Sequence, residues 1–390
     1  MSYSNGKGHF ADKLYYDIVI SNIDSKDSPP TSLYFNEVRN SPFVYKPEDY
    51  YLSIVRFTLD TPSLPIWTCI IQNNQPDVNL SIYSITLSWT DPLGGSTFFY
   101  QKYLEFAPQV LSSQIPIPPS QTVNGLQNNS TGYYYVYNYQ YVIFLVNQCF
   151  QQCFTELNNL VVSAGHSLPT TFAPILTFDT QLNIAILNSD ILGYNTNALN
   201  YIKIFMNSAL FQLFSSFPIY ILGSSPNGRN IQIQTYTFGG QNIAEFPSNA
   251  LFQYNAIQTF QEYSTISLWT PVLSIVFCSN TLPIVPNQIS APQILVNGST
   301  IINDGNNSNI ANIITDLVVA DGNYKPSIVY NPTAQYRLIE MQGNRPLNNL
   351  DIVVYWKDRY GILNPFTLTS GSSATLKILF SKKSSDGNYK

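Results

Sequence analysis

Two histidines, four cysteines, a thin set of carboxylates and one dense run of tyrosines are the residues of this 390-residue chain that could do chemistry. His9 and His166 lie far apart, neither sits near a cysteine pair at zinc spacing, and HExxH is absent, so no metal site is expected. Cys149 and Cys153, in CFQQC, fall one helical turn apart on one face. A soft metal would need a second such pair; with none present, both are read as core. Asp60-Thr61-Pro62 and Asp179-Thr180-Gln181 echo the Asp-Thr pairs of aspartic proteases. That chemistry needs two carboxylates in tight glycine-bearing turns, and proline and glutamine stand where the glycine should be. GxSxG, GxxxxGK[ST] and GxGxxG are also missing, so no catalytic residue and no cofactor are expected. A carboxylate pair for sugar hydrolysis is defined by spatial separation. Its few candidates in the middle of the chain are Asp179, Asp190, Glu245 and Glu262.

The tyrosine run, Thr131 to Val146, reads TGYYYVYNYQYVIFLV. Its consecutive apolar residues extend only from Tyr141 to Val146, against about 20 for a spanning helix, and Asn147 and Gln148 follow at once. No membrane span is expected. Stacking on nucleic-acid bases would require nearby cations, and the nearest are Lys102 and Lys203. Tyr133, Tyr134, Tyr135 and Tyr137 are therefore candidate contacts to a host sugar or to a neighbouring subunit. Packing against protein is favoured, because tyrosine offers large, stiff contact area with one hydrogen-bonding end.

The elements that carry these residues are mostly strands. Tyr15–Ser21, Tyr50–Leu59 and Val78–Trp89 are aromatic and β-branched with period-two stretches, and Ile231–Phe238, Val272–Cys278, Ile313–Val319, Leu350–Trp356 and Ala374–Phe380 continue the pattern. Thr177–Leu187 reads as a strand pair turning near Asp179 and Thr180. Pro- and Gly-rich breaks such as Ile115–Ser120 separate them. Many short strands with irregular connections point to a sandwich or jelly roll. Two helices interrupt. After Asn138, a candidate N-cap, apolar residues recur at Val142, Val146, Cys149, Phe150, Cys153, Leu157, Leu160 and Val161, and the pattern stops near Gly165. Asn207 caps a shorter one through SALFQLF.

Charged residues make up 11% of the chain, well under the usual share of about 25%. The net charge of −5 and pI near 5.0 argue against a surface that coats nucleic acid, and no sequence recognition of nucleic acid is expected. Most of the charge sits at the two ends; between Phe106 and Phe178 the sole charged residue is Glu156. That asymmetry suggests a domain assembled from both termini around a long neutral insertion. Its borders are expected at residues 1–75 and 265–390 for the outer domain and 76–264 for the insertion. The opening MSYSNGKGHFADK has no apolar core, so no signal peptide is expected. Cys69, Cys149, Cys153 and Cys278 all have apolar neighbours and read as buried free thiols of a reducing compartment.

The C-terminal third resembles a known family. Ser274–Pro286 (SIVFCSNTLPIVP), Ile313–Tyr330 (IITDLVVADGNYKPSIVY), Asn331–Leu338 (NPTAQYRL), Asp351–Lys357 (DIVVYWK) and Gly361–Lys383 (GILNPFTLTSGSSATLKILFSKK) occur in the order found in virophage-type minor capsid, or penton, proteins. The N-terminal DIVISN and YYLSIVRFTLDTPSLPIW and the middle NYIKIFMNSALFQLFSSFP are similar as well. The resemblance implies a mainly β protein: a single jelly-roll β-sandwich with a large mixed β/α insertion. It implies a non-enzymatic structural role in an icosahedral double-stranded DNA virus, as a homopentamer at the vertex of the virion beside the major capsid protein, assembled in the host cytoplasm. A closed ring needs a heterologous interface on each flank, ordinarily about 800 Å² per partner, and a low-charge, Tyr/Phe-rich surface suits such burial. From the residues alone, a carbohydrate-binding β-sandwich adhesin and a jelly-roll glycoside hydrolase stay open as alternatives.

Overall fold

The computed structural model describes residues 12–23, 30–72, 75–109, 116–120, 127–223, 227–235, 243–246, 253–289, 293–296, 300–303, 309–319, 326–331 and 337–383. His9 and the end of the expected strand Ile231–Phe238 lie outside them. The described residues divide into two compact units, one made of those up to Leu64 and those from Pro271 onward, the other of those in Pro65–Thr270. The sequence reading set these borders at 75/76 and 264/265. Trp67 pairs with Val136, and the Trp269 ring packs edge-on against Phe214, so the segments next to both borders belong with the second unit.

Eight strands form the main frame of the first unit: β1 (Lys13–Ser21), β2 (Tyr34–Val38), β3 (Tyr50–Asp60), β4 (Val272–Cys278), β5 (Ile313–Val318), β6 (Ser327–Tyr330), β7 (Asn349–Asp358) and β8 (Ser373–Lys382). One sheet runs β1-β8-β3-β6 and the other β2-β7-β4-β5, with every pairing antiparallel. Strand 1 thus pairs with 8, 2 with 7, 3 with 6 and 4 with 5. The chain behaves as one long antiparallel hairpin rolled upon itself, which is the jelly roll. The second unit is inserted between β3 and β4.

Alternation of side chains places the core. Along β8, Ala374, Leu376, Ile378 and Phe380 are buried, and along β7 so are Leu350, Ile352, Val354 and Trp356. The two sheets meet through Phe57 of β3 and Phe277 of β4, whose ring centroids are 5.0 Å apart, and through Tyr16 of β1 and Phe35 of β2 at 6.3 Å. A bulge between Lys377 and Ile378 shifts the register of β8 against β3.

In the second unit the helix Tyr139–Ser163 lies on a five-stranded sheet in the order Ile219–Ile221, Ile231–Ile233, Lys203–Met206, Leu80–Thr90, Thr97–Glu105. A four-stranded sheet runs Ile243–Phe246, Ala256–Phe260, Ile184–Asp190, Ile175–Asp179. The helix starts where the sequence places it: Asn138 is extended and its side chain accepts the Tyr141 N–H at 2.8 Å. It ends at Gly165, whose φ of 83° favours glycine. Its buried stripe includes Ile143, Leu145 and Phe154 in addition to the expected positions, because two sheets flank it. Leu160, expected in that stripe, is 44% exposed, while Leu157 and Val161 beside it are buried. Asn147 acts as a substitute strand neighbour: its amide donates to the Leu176 carbonyl at 2.8 Å and accepts the Leu176 N–H at 2.7 Å. Asn207 caps Ser208–Leu213 through the Leu210 N–H at 3.0 Å. Strands Tyr34–Val38, Thr97–Glu105 and Lys203–Met206 are additions to the sequence reading.

Candidate assembly surface

The tyrosine run turns a corner. Trp67–Thr68 pairs with Tyr135–Val136, and Gly132, at φ 69°, makes the turn before it. A Cβ on Gly132 would come within 3.2 Å of the Tyr135 ring, so both its backbone angle and its missing side chain are used.

Tyr133 and Tyr134 are buried. Their rings meet edge to face at 5.0 Å, and both pack on Phe106, at 5.7 and 5.5 Å. Each hydroxyl donates within the same unit, Tyr133 to Asn79 Oδ1 and Tyr134 to the Val78 carbonyl, both at 2.9 Å. Tyr135 and Tyr137 are half-buried, and the Tyr137 N–H is taken by Gln109 Oε1 at 2.8 Å. Tyr139, at the helix start, stacks on Phe178 at 4.9 Å and meets the Trp269 ring at 5.7 Å. Burial pushes the phenols of Tyr134, Tyr137 and Tyr139 up to about 12. Of the four tyrosines singled out from the sequence, Tyr135 and Tyr137 are the ones with surface to offer. Asn79, Phe106 and Trp269, which hold the cluster together, had no local signal; they are distant in sequence and meet it through the sheet.

Several of the carboxylates hold turns and strand ends. Asp60 accepts the Ser373 N–H at 2.7 Å, Asp179 accepts Gln181 and Leu182 N–H at 2.8 and 3.1 Å, and Asp190 takes the Thr170 hydroxyl at 2.6 Å. Glu262 is exposed. The Glu245 side chain is outside the described residues. Asp351, fully buried in β7, gathers the loop after β4: Ser279 and Thr281 hydroxyls and the Asn280 and Thr281 N–H groups all point at it. Burial would raise its pKa, but those hydrogen bonds outweigh burial and hold it below the usual carboxylate range.

All four cysteines are free and buried. Cys149 donates to the Lys102 carbonyl at 3.4 Å and Cys153 to the Tyr100 carbonyl at 3.2 Å, which ties the helix to the strand beneath it. Among the described residues no three His, Cys, Asp or Glu side chains are grouped to hold a metal.

The first unit is a jelly roll with a large insertion between β3 and β4, and its aromatic side chains pack the interior between the sheets. The family model described as Sputnik minor capsid protein V18/19 matches residues 14–382, and the chain belongs to this family. It is 34% identical to structural protein V19 of Sputnik virophage over 196 residues, which are 49% of this chain and 86% of V19. It is 30% identical to protein V18 of the same virophage over 148 residues, 38% of this chain and 85% of V18. A chain in the cryo-EM structure of the Sputnik virophage superimposes with a TM-score of 0.76 at 30% identity, covering 96% of this chain and 99% of that one. The mavirus penton protein shares the fold with a TM-score of 0.62 at 16% identity, over 95% of this chain and 99% of that one. The protein is a non-enzymatic structural component of a virophage-type capsid.

Proposed function

We propose that five copies of this chain close a ring at each vertex of an icosahedral shell, assembled in the host cytoplasm. The jelly-roll unit meets the major capsid protein, and the insertion between β3 and β4 supplies contacts between neighbouring copies. The observation that carries this reading is the jelly roll itself, closed by pairing β1 along β8, in a chain of a minor capsid family. Low charge in the insertion supports it further, since a flank with few ions to desolvate is the cheaper one to bury. Tyr135 and Tyr137 are the members of the tyrosine run proposed to touch an adjoining copy. The buried free thiols suit assembly in a reducing compartment.

Native mass spectrometry and light scattering on the purified protein test the reading. Five-chain species growing with concentration, and density for the chain at the vertices of reconstructed particles, are expected. A protein that stays monomeric at high concentration and is absent from particles would overturn it. A host glycan is the second reading of the half-exposed tyrosines. It predicts glycan-array binding that disappears when Tyr135 and Tyr137 are replaced by alanine.

A further inference from the structure

One end of the five-stranded sheet carries three leucines that no other described residue covers. Leu93 is 96% exposed, Leu192 72% and Leu199 100%. They come from three separate segments, two loops and the four-residue helix Ile191–Tyr194, that the fold brings together. Leu93 sits in the turn Asp91–Gly95, which closes the hairpin at Thr90 and Thr97. The Trp89 indole donates to the Asn200 carbonyl at 2.9 Å, fixing the Leu199 loop beside that turn. The Ile202 N–H donates to the Gly193 carbonyl at 2.7 Å, which brings Leu192 to the same end.

Two of the segments share one device. In Asp91-Pro92-Leu93 and in Asp190-Ile191-Leu192 the aspartate carboxylate accepts the N–H of the leucine two residues on, at 3.2 and 3.1 Å. Each carboxylate is thereby turned inward and buried while its leucine is turned out. Neither Asp91 nor Asp190 therefore presents its charge outward. The cations lie behind it: Lys203 is opposite Ser88, and the Arg229 guanidinium lies over the Phe99 ring at 4.4 Å, with Phe99 also opposite Ser88. Ser88 is two residues from Thr90, so at a strand rise of about 3.3 Å per residue the cations stand about 7 Å behind the tips. Tyr201, whose ring the Lys203 ammonium approaches at 5.7 Å, and Phe99 occupy the same level.

We propose that this end of the insertion docks on a lipid bilayer bearing anionic headgroups. The leucines enter the acyl boundary, and Lys203 and Arg229 meet the headgroups. Depth and charge both fit, since interfacial segments bury their apolar groups about 5–10 Å and keep aromatic and cationic side chains at headgroup level. Three exposed leucines on separate segments suit a fluid layer, which demands no shape complementarity, better than a protein groove. The contact is superficial and consistent with the lack, among the described residues, of any helix long and apolar enough to span.

Flotation of the full chain tests this, with vesicles of equimolar phosphatidylcholine and phosphatidylserine and with phosphatidylcholine alone. Wild-type protein is expected to float with the mixed vesicles and more weakly with the neutral ones. The triple variant L93S/L192S/L199S should lose about tenfold or more in affinity, with its circular dichroism and melting temperature unchanged. K203Q/R229Q should lose on the order of tenfold on the mixed vesicles only. Wild-type protein that floats with neither vesicle, or a triple variant that floats as well as wild type, would overturn the proposal. Loss of self-association in the triple variant, with no vesicle binding by wild type, would instead assign the leucines to contacts between copies. The purified chain binds or fails to bind whatever its place in the shell, so the vertex reading is tested separately.

Discussion

The hydroxyl of Thr281 donates to the buried carboxylate of Asp351 at 2.6 Å, joining the loop after β4 to the start of β7 across seventy residues of sequence. The same carboxylate receives the Thr281 N–H at 2.9 Å and both donors of Asn280, so one side chain organises a whole turn.

Removing that acceptor leaves several donors without a partner. Asp351→Ala is expected to cost about 3 kcal/mol in urea unfolding, with the loop 279–282 losing hydrogen-exchange protection. The pH dependence follows from the depressed pKa. The contribution of Asp351 is complete above the unfolded carboxylate value of about 3.9 and is lost as pH falls from there through the folded value. Melting curves of wild type and Asp351→Asn should therefore converge on the acid side of that window.

The Asn147 amide supplies both halves of a strand pairing to Leu176. Asn147→Ala should cost about 1–2 kcal/mol, since the Leu176 N–H and carbonyl each lose their partner. Asn147→Asp keeps the acceptor and loses the donor, so it should recover part of the loss. Denaturant midpoints of the three proteins check the order. The N-cap variant Asn138→Ala should cost about 1 kcal/mol by the same measurement.

Tyrosinate absorbance should rise in two phases on alkaline titration. Exposed phenols ionise near pH 10, and Tyr134, Tyr137 and Tyr139 near 12. These groups are held neutral by burial. Their contribution to stability is complete below the unfolded pKa and disappears as pH rises through about 12, so the second phase should coincide with alkaline unfolding. A single phase near pH 10 in folded protein would contradict the burial of the run.

Thiol reagents should leave the native protein unmodified and label all four cysteines after denaturation. Burial pushes the Cys153 thiol up to about 12 and Cys278 up to about 11, so little thiolate is present at neutral pH. Rapid labelling of native protein would show an open core beside the long helix.

Local signals were legible wherever the cause is local. Asn138 and Asn207 cap the helices they precede because a short side-chain acceptor reaches the N–H three residues on without help from the rest of the chain. Strands β3, β7 and β8 were legible because one face of each is buried, which writes alternation into the sequence. Thr97–Glu105 has aromatic residues on both faces, so it carries no such alternation, and Lys203–Met206 and Tyr34–Val38 are too short for a period to show. The drop in charge along the middle of the chain gave no exact border: the expected 75/76 and 264/265 differ from the Leu64/Pro65 and Thr270/Pro271 divisions of the two units, because Trp67 and Trp269 pack with partners of the insertion.

The sequence by itself determined the β-rich class, both longer helices, the burial of the cysteines and the absence of a motif for catalysis, because each depends on residue type and near neighbours. Only the tertiary structure decided which strands pair as 1 with 8 and 2 with 7, where Asp351 finds its donors, and which tyrosines are consumed inside. It also decided that three leucines distant along the chain stand at one end of a sheet. Those outcomes depend on contacts between residues tens to hundreds of positions apart. Composition and period record the environment each side chain requires, and the partner that satisfies it is chosen only when the whole chain closes.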